Sequence, residues 1–167
     1  MAYYQMKLQG HLCLNGVKLP LKSVNCNYGA TLMSITPFVE YEDATKEVRS
    51  VYEDIMATRG SDWVNNFWKA LATQPELLRR TWEGVKSVMS DGALDPLTKE
   101  MVYIAVSATN GCNYCTNSHT AGARSKGMTD EMFAELMAVV GMANQTNSLA
   151  NGFQVAVDEQ FKNGGRG

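Results

Sequence analysis

The sequence predicts an all-α domain, a bundle of about six helices, preceded by an irregular N-terminal segment. From residue 33 onward, apolar residues recur at helical spacing, a capping residue, proline or glycine bounds each segment, and strand patterns are almost absent. At 167 residues, the chain has the size of one domain with its own hydrophobic core. We therefore expect a single helical domain over residues 33–162, followed by a flexible tail at 163–167.

The segment over residues 1–32 differs in character from the rest of the chain. It contains no Asp or Glu and has no persistent period, although LCLNGVKLPL is compatible with a short hairpin around Asn15 and Gly16. The stretch that begins at Met33, MSITPFVEYEDATK, has the pattern of a natural protein start followed by a helix. We therefore interpret residues 1–32 as an appended or non-native extension.

The first two predicted helices lie between residues 44 and 72. Asp43 or Thr45 can cap a helix over about 44–58, which stops near Gly60. A shorter helix is predicted over 63–72. The core face of the first helix is predicted from the i, i+3, i+4, i+7 spacing of Val48, Val51, Tyr52 and Ile55.

Prolines open the next two predicted helices, in the first turn, where a missing N–H is tolerated. Pro75 begins PELLRRTWEGVKSVMS, and Pro96 begins a segment that ends at Asn110-Gly111, a pair suited to a left-handed cap. The buried stripe of the first of these helices is predicted to consist of Leu78, Trp82, Val85 and Met89.

Two more helices complete the predicted domain. One begins at about Cys112 and closes at Gly127. Thr129 then caps a long apolar segment, which we expect to break near Gly141 or between Asn147 and Asn151.

Charge and hydropathy exclude several classes of function. Fifteen Lys and Arg against 17 Asp and Glu give a net charge of −2, which offers no basic surface for nucleic acid or an anionic membrane. The longest clean apolar run, MVYIAV, is far shorter than the roughly 18 residues of a membrane span, and the N-terminal residues lack the apolar core of a secretory signal. We therefore expect a soluble cytoplasmic protein.

Chemistry is concentrated in GCNYCTNSH, residues 111–119. Cys112, Cys115 and His119 are spaced three and four apart, so all three share one face of a helix. Because the previous helix ends at Gly111, Cys112 is expected at the N-cap and Cys115 in the first turn. A helix start and a neighbouring histidine both favour a thiolate, so a thiol pKa below the usual value of about 8.5 is predicted here.

Glu100 completes the predicted site from the preceding helix. If the two helices form an antiparallel hairpin about Asn110-Gly111, Glu100 lies about 15 Å from the turn and His119 about 12 Å, so the two come level. A carboxylate at this position would orient the imidazole and raise its basicity. Glu100, His119 and Cys115 can then form a proton relay, with Cys112 within reach for a disulfide.

Other interpretations of these residues are open. A CxxC can be half of a zinc site, but the second pair of ligands is missing, because Cys13 and Cys26 lie in the unusual N-terminal segment. Cys112, Cys115 and His119 with a water are a three-ligand alternative. His11 is interpreted as an ordinary surface or core histidine, and a lone Glu100 would be a solvated acid at a helix start.

The spacing E-x11-C-x2-C-x3-H, over Glu100, Cys112, Cys115 and His119, resembles that of the alkylhydroperoxidase AhpD-like family, within the carboxymuconolactone decarboxylase-like superfamily. The likeness extends to QPELL at 74–78 and to GMTDEMFAEL, and covers roughly residues 60–155. AhpD itself has a histidine immediately before the second cysteine, where this chain has Tyr114. The decarboxylase branch of the superfamily lacks the CxxC.

This resemblance implies a thiol peroxidase. It implies that Cys115 attacks the hydroperoxide, that Cys112 resolves the sulfenic acid, and that His119 and Glu100 relay protons. It also implies no metal, flavin or haem, reduction by an external dithiol (thioredoxin-like or a lipoyl-bearing protein), and a homo-oligomer, commonly a trimer or hexamer. Two other classes stay open: a dithiol oxidoreductase or redox sensor with little peroxide turnover, and a metal-binding or structural protein.

Overall fold

The structure, a computed structural model, describes residues 34–162 and, before them, the backbone of two short strands, β1 (His11–Leu14) and β2 (Val17–Pro20). The strands pair antiparallel, which confirms the hairpin predicted from the sequence. The interpretation of residues 1–32 as an appended extension rests on the sequence alone and stays a prediction. The predicted tail at 163–167 lies outside the described residues.

The helical region confirms the all-α prediction. The six predicted helices are there, and a short seventh one follows them. In the described part of the chain the helices are α1 (Lys46–Arg59), α2 (Asn66–Leu71), α3 (Pro75–Met89), α4 (Pro96–Thr109), α5 (Asn113–Ser125), α6 (Asp130–Gly152) and α7 (Glu159–Lys162).

The helix ends follow the local signals in the sequence. The Thr45 hydroxyl accepts a hydrogen bond from the N–H of Val48 and caps α1, while Gly60 ends it with φ +62°. α2 begins later than predicted because Asn65 is still extended. The predicted break in α6 is wrong: the helix continues through Gly141 and ends at Gly152, since one glycine costs a helix only about 1 kcal/mol.

Two hydrophobic cores divide the bundle. We call α1–α3 the first lobe and α4–α6 the second lobe. The predicted face of α1 is buried in the first lobe, together with Leu78 and Trp82 of the predicted α3 stripe. Val85 is only partly buried, and Met89 lines a cavity between the lobes.

The second lobe is built on the hairpin of α4 and α5. Gly111 turns the chain with φ +69°, a left-handed conformation that glycine adopts without a steric penalty. Ile104 of α4 and Ala123 of α5 are fully buried and pack, with Met128, against the start of α6. The hairpin thereby fixes the register in which α4 and α5 face each other. None of the helices in the described region is long and apolar enough to cross a membrane.

Candidate active site

The α4–α5 hairpin brings Glu100 and His119 into direct contact. Glu100 Oε2 lies 2.6 Å from His119 Nδ1, which confirms the contact predicted from the length of the two helix arms. The Glu100 side chain is only 9% exposed and that of His119 is 20% exposed. A hydrogen bond of this length, partly shielded from water, fixes the orientation of the imidazole.

Two further groups, one on α5 and one directly after it, touch the Glu100 carboxylate. Lys126 Nζ donates to its other oxygen, Oε1, at 2.9 Å. Gly122 lies directly beneath it, and a Cβ there would be 3.0 Å from Oε1. Burial by itself raises the pKa of Glu100, but the hydrogen bonds and charges of His119 and Lys126 outweigh it and hold the pKa below its usual value.

The imidazole of His119 is held from its face as well as its edge. Tyr103, three residues after Glu100 on α4, stacks on it with ring centroids 3.7 Å apart and planes 17° apart. Because Nδ1 is engaged by Glu100, Nε2 is the ring nitrogen that remains to exchange a proton. Stacking and hydrogen bonding together allow the ring little freedom to turn.

Cys112 occupies the N-cap of α5, as predicted, and its sulfur accepts a hydrogen bond from the N–H of Cys115 at 3.4 Å. A hydrogen bond from the Cys115 thiol, followed by this bond from the backbone, lowers the pKa of Cys112. Burial, followed by the effect of the neighbouring Cys112, raises the pKa of Cys115 to about 11. The lowered thiol pKa predicted at this helix start therefore belongs to Cys112, and its extension to Cys115 is wrong.

A cavity of about 520 Å³ lies between the two lobes, and three of the four predicted site residues line it. Cys115, His119 and Glu100 line it, whereas Cys112 is not among its lining residues. Cys115 and His119 make no direct hydrogen bond to each other. Aromatic and aliphatic side chains of the first lobe form much of the opposite wall: Phe67, Trp68, Trp82, Val85 and Met89.

Tyr114, the residue before the second cysteine of the CxxC, connects the site to the first lobe by hydrogen bonds. Its phenol oxygen accepts hydrogen bonds from Asn65 Nδ2 and from the backbone N–H of Phe67, both at 3.0 Å. Asn65 in turn accepts a hydrogen bond from Arg59 at 2.8 Å. Tyr114 therefore connects the start of α5 to the start of α2.

Sequence reasoning missed three residues of this site, namely Tyr103, Gly122 and Lys126. Helical spacing carried a signal for all of them: Tyr103 follows Glu100 by three residues, and Gly122 and Lys126 follow His119 by three and seven. Within the region whose side chains are described, no group of three or more His, Cys, Asp or Glu residues is placed to hold a metal ion.

Comparison with known proteins identifies relatives of this chain. Residues 75–158 match the model of the carboxymuconolactone decarboxylase family. A solved structure, that of the alkylhydroperoxidase AhpD core from Rhodospirillum rubrum, superposes with a TM-score of 0.74. It is 53% identical in sequence, and the match covers 77% of this chain and 97% of that one.

Curated relatives are more distant. Uncharacterized protein 4 in the cox locus of Paracoccus denitrificans is 41% identical over 54 residues, which are 32% of this chain and 49% of that protein. Uncharacterized protein H16_B0147 of Cupriavidus necator is 30% identical over 77 residues, 46% of this chain and 68% of that protein. Alkyl hydroperoxide reductase AhpD of Solibacter usitatus is 34% identical over 71 residues, 42% and 38% of the two chains. The match thus spans about half or less of the Paracoccus and Solibacter proteins.

Proposed function

This chain belongs to the carboxymuconolactone decarboxylase family and is AhpD-like within it, and from that premise we propose that it is a thiol-dependent peroxidase. The observation that carries the proposal is the partly buried contact between Glu100 and His119 in the cavity that Cys115 lines. A base held by a carboxylate beside a thiol is the arrangement that activates a nucleophile. We propose that the CxxC pair supplies the electrons that reduce a hydroperoxide.

The first step is attack by Cys115 on the O–O bond. With a pKa of about 11, roughly one Cys115 thiol in 10⁴ is ionised at pH 7, so a base must remove its proton as the substrate binds. His119 takes that proton through the substrate or a water, and Glu100 stabilises the imidazolium. The thiolate takes the terminal hydroxyl of ROOH, the O–O bond breaks, and RO⁻ leaves as ROH with the proton from His119.

The second step is condensation between the two cysteines. Cys112, whose pKa is lowered, loses its proton and attacks the sulfenic acid sulfur of Cys115 as a thiolate. The S–S bond forms as the S–O bond breaks, and the hydroxide leaves as water by taking up one proton, which balances the proton that Cys112 lost. The product is a disulfide between neighbouring positions on one helix turn. An external dithiol, thioredoxin-like or lipoyl-bearing, then reduces it and is itself oxidised to a disulfide. This cycle uses no metal, flavin or haem.

The walls of the cavity favour an organic hydroperoxide over hydrogen peroxide. Phe67, Trp68 and Trp82 contribute aromatic surface opposite the reactive groups. Burying an apolar substituent of the substrate against such surface stabilises the complex by about 25 cal/mol for each Å² removed from water. Hydrogen peroxide offers no apolar surface, so we expect it to be consumed with a higher KM.

Single-cysteine variants test the proposal. Cys115→Ser is expected to abolish consumption of an organic hydroperoxide in the presence of a general dithiol. Cys112→Ser is expected to react once and to accumulate a sulfenic acid that a selective reagent traps and mass spectrometry locates. Cys26→Ser, outside the motif, is the matched control. If the Cys112 variant is inert and the Cys115 variant reacts, the two roles are reversed.

A dithiol oxidoreductase or redox sensor is the second candidate, and the lowered pKa of Cys112 favours it. Such a protein needs one thiolate ready to attack a partner disulfide, and Cys112 meets that need without a peroxide. The two functions separate in one assay. A sensor exchanges rapidly with a small disulfide and consumes organic hydroperoxide no faster than free dithiol does.

We also propose that the chain forms a homo-oligomer, a trimer or hexamer. α6 has 23 residues and none of them is buried in the single chain. A continuous stretch near the end of the described region exposes large apolar side chains: Leu149, Phe153, Val155, Val157 and Phe161. Apolar surface of this extent is typical of an interface. Light scattering after size-exclusion chromatography tests this, with Phe153→Glu expected to lower the mass to that of a smaller species.

A further inference from the structure

Lys126 is a charged residue of the cavity that the peroxidase cycle does not use. It follows directly after α5, and its ammonium group reaches back to Glu100 Oε1 at 2.9 Å and to the carbonyl oxygen of Gly122 at 3.4 Å. Glu100 thus divides its two oxygens between two partners, since Oε2 is bonded to His119. A carboxylate held in this way at both oxygens has a single orientation.

We propose that Lys126 is a positioning residue: it holds Glu100 as a carboxylate aimed at His119, so that the proton from Cys115 stops on His119. The catalytic meaning of this inference rests on the proposed peroxidase function. The effect of Lys126 on the proton affinity of the Glu100–His119 pair does not depend on whether the protein is a peroxidase.

Charge balance supports the inference. If a proton passed from the imidazolium to Glu100, the neutral acid would face the Lys126 ammonium at 2.9 Å and the attraction between the two would be lost. With the proton on His119, the carboxylate stays between two cations. The second arrangement is favoured because the Glu100 side chain is only 9% exposed, so water replaces little of the lost attraction.

Sterics support it independently. The Cβ of any larger residue at position 122 would lie 3.0 to 3.2 Å from three atoms of the Glu100 carboxyl group. The carboxylate therefore sits directly on the backbone of α5, between His119 and Lys126. Three groups fix Glu100: His119, Gly122 one turn later, and Lys126 about two turns after His119. Lys126 is the second of the two charged partners along the chain.

Other charged or titratable groups line the same cavity but make no hydrogen bond or ion pair with Glu100 in the described part of the chain. These groups are Arg59 from α1, Lys86 from α3, Tyr103 from α4, and Tyr114 and Cys115 from α5. Lys86 is paired with Asp54 at 2.7 Å, and Arg59 donates to Asn65. The proton affinity of the Glu100–His119 pair is therefore expected to respond to Lys126 more than to any of these groups.

An NMR titration of His119 in the reduced protein tests the proposal without any peroxide. The chain has two histidines, and a His11→Gln background leaves the His119 ring signals alone. In Lys126→Met, the midpoint of the His119 titration is expected to rise by about one pH unit, because Glu100 no longer shares its charge with a second cation. In Lys126→Arg, the midpoint is expected to differ from that of the wild type by less than half of the shift seen in Lys126→Met.

Arg124→Met is the matched control. It removes a cation two residues away, at the same end of α5, whose partner is the exposed Asp130. Arg124→Met is expected to leave the midpoint of the His119 titration unchanged. Equal midpoints in Lys126→Met and wild type would overturn the proposal, and so would equal shifts in Lys126→Met and Arg124→Met.

Peroxide consumption as a function of pH extends the test to catalysis. The ascending limb of the rate profile is expected to move to higher pH in Lys126→Met by the shift seen in the NMR titration. If no protein, wild type included, consumes peroxide, the proposed function fails and the NMR result still decides the role of Lys126. If Lys126→Met does not fold, the double variant with Glu100→Gln, which no longer buries an unpaired carboxylate, is expected to fold. Failure of the double variant would contradict the pairing.

Discussion

Gly122→Ala is the smallest change that tests how tightly the Glu100 carboxylate is held. The added Cβ would lie 3.0 Å from Oε1, 3.1 Å from Cδ and 3.2 Å from Oε2. Ordinary contacts between such atoms are about 3.5–4.0 Å, so the carboxylate must move by a few tenths of an ångström. It cannot do so without lengthening its hydrogen bonds to His119 and Lys126.

Helix propensity alone predicts that Gly122→Ala raises the free energy of unfolding, which is the opposite of the effect expected from the contact with Glu100. Alanine is more favourable than glycine in a helix interior by about 1 kcal/mol. Gly84, exposed in the middle of α3, gives the reference, because nothing lies within 4 Å of a Cβ there. Gly84→Ala is therefore expected to raise the free energy of unfolding by about 0.5–1 kcal/mol. At Gly122 this gain is opposed by disturbing charged hydrogen bonds worth about 1.5–3 kcal/mol each, so a net loss of about 0.5–2 kcal/mol is expected.

Urea denaturation of the two variants at pH 7 measures the difference. The initial rate of organic hydroperoxide consumption provides a second measurement, and a roughly tenfold fall is expected for Gly122→Ala alone, since displacement of a catalytic group by 1 Å costs about a hundredfold. If Gly122→Ala stabilises the protein as much as Gly84→Ala and keeps full activity, the carboxylate is not confined as argued.

Three further predictions concern the motif and the core. Tyr114→Phe removes the acceptor of two hydrogen bonds between the lobes and is expected to lower the free energy of unfolding by about 1–2 kcal/mol in urea titration, whereas an unchanged value would mean that the phenol does not join the lobes. Iodoacetamide is expected to modify Cys112 at a pH below the usual range for a thiol and Cys115 only as pH approaches about 11, because the thiolate reacts; peptide mapping over pH would reveal the opposite order. Ile104→Ala, at a fully buried position, is expected to cost about 2–4 kcal/mol, and a loss below about 1 kcal/mol would contradict its place in the second core.

The features that were predictable from the sequence are those that depend on local chain geometry. Thr45 and Thr129 are caps because a hydroxyl before a helix satisfies free N–H groups, and both make the expected bond. The contact between Glu100 and His119 followed from helix rise and from the turn at Gly111. Each of these inferences needs only neighbouring residues or one hairpin.

The features that escaped prediction depend on burial and on distant parts of the chain. The pKa of Cys115 is raised because the side chain is partly enclosed, and enclosure is set by packing that helical spacing does not specify. Tyr114 bonds to Asn65 and Phe67, nearly fifty residues earlier in the chain. The break predicted near Gly141 is wrong for a separate, local reason, because one glycine costs a helix only about 1 kcal/mol.

The division of the bundle into two cores has a consequence for how this protein can change. The cavity lies on the seam between lobes that each pack their own interior, so its width is set by the fit of two surfaces. Residues on the first-lobe wall, such as Phe67 and Met89, are partly exposed and can be exchanged without emptying either core. The four predicted site residues, Glu100, Cys112, Cys115 and His119, all lie on the α4–α5 hairpin. In the proposed peroxidase, substitutions on the first-lobe wall can therefore change substrate preference without destabilising either core and without altering the residues proposed to react.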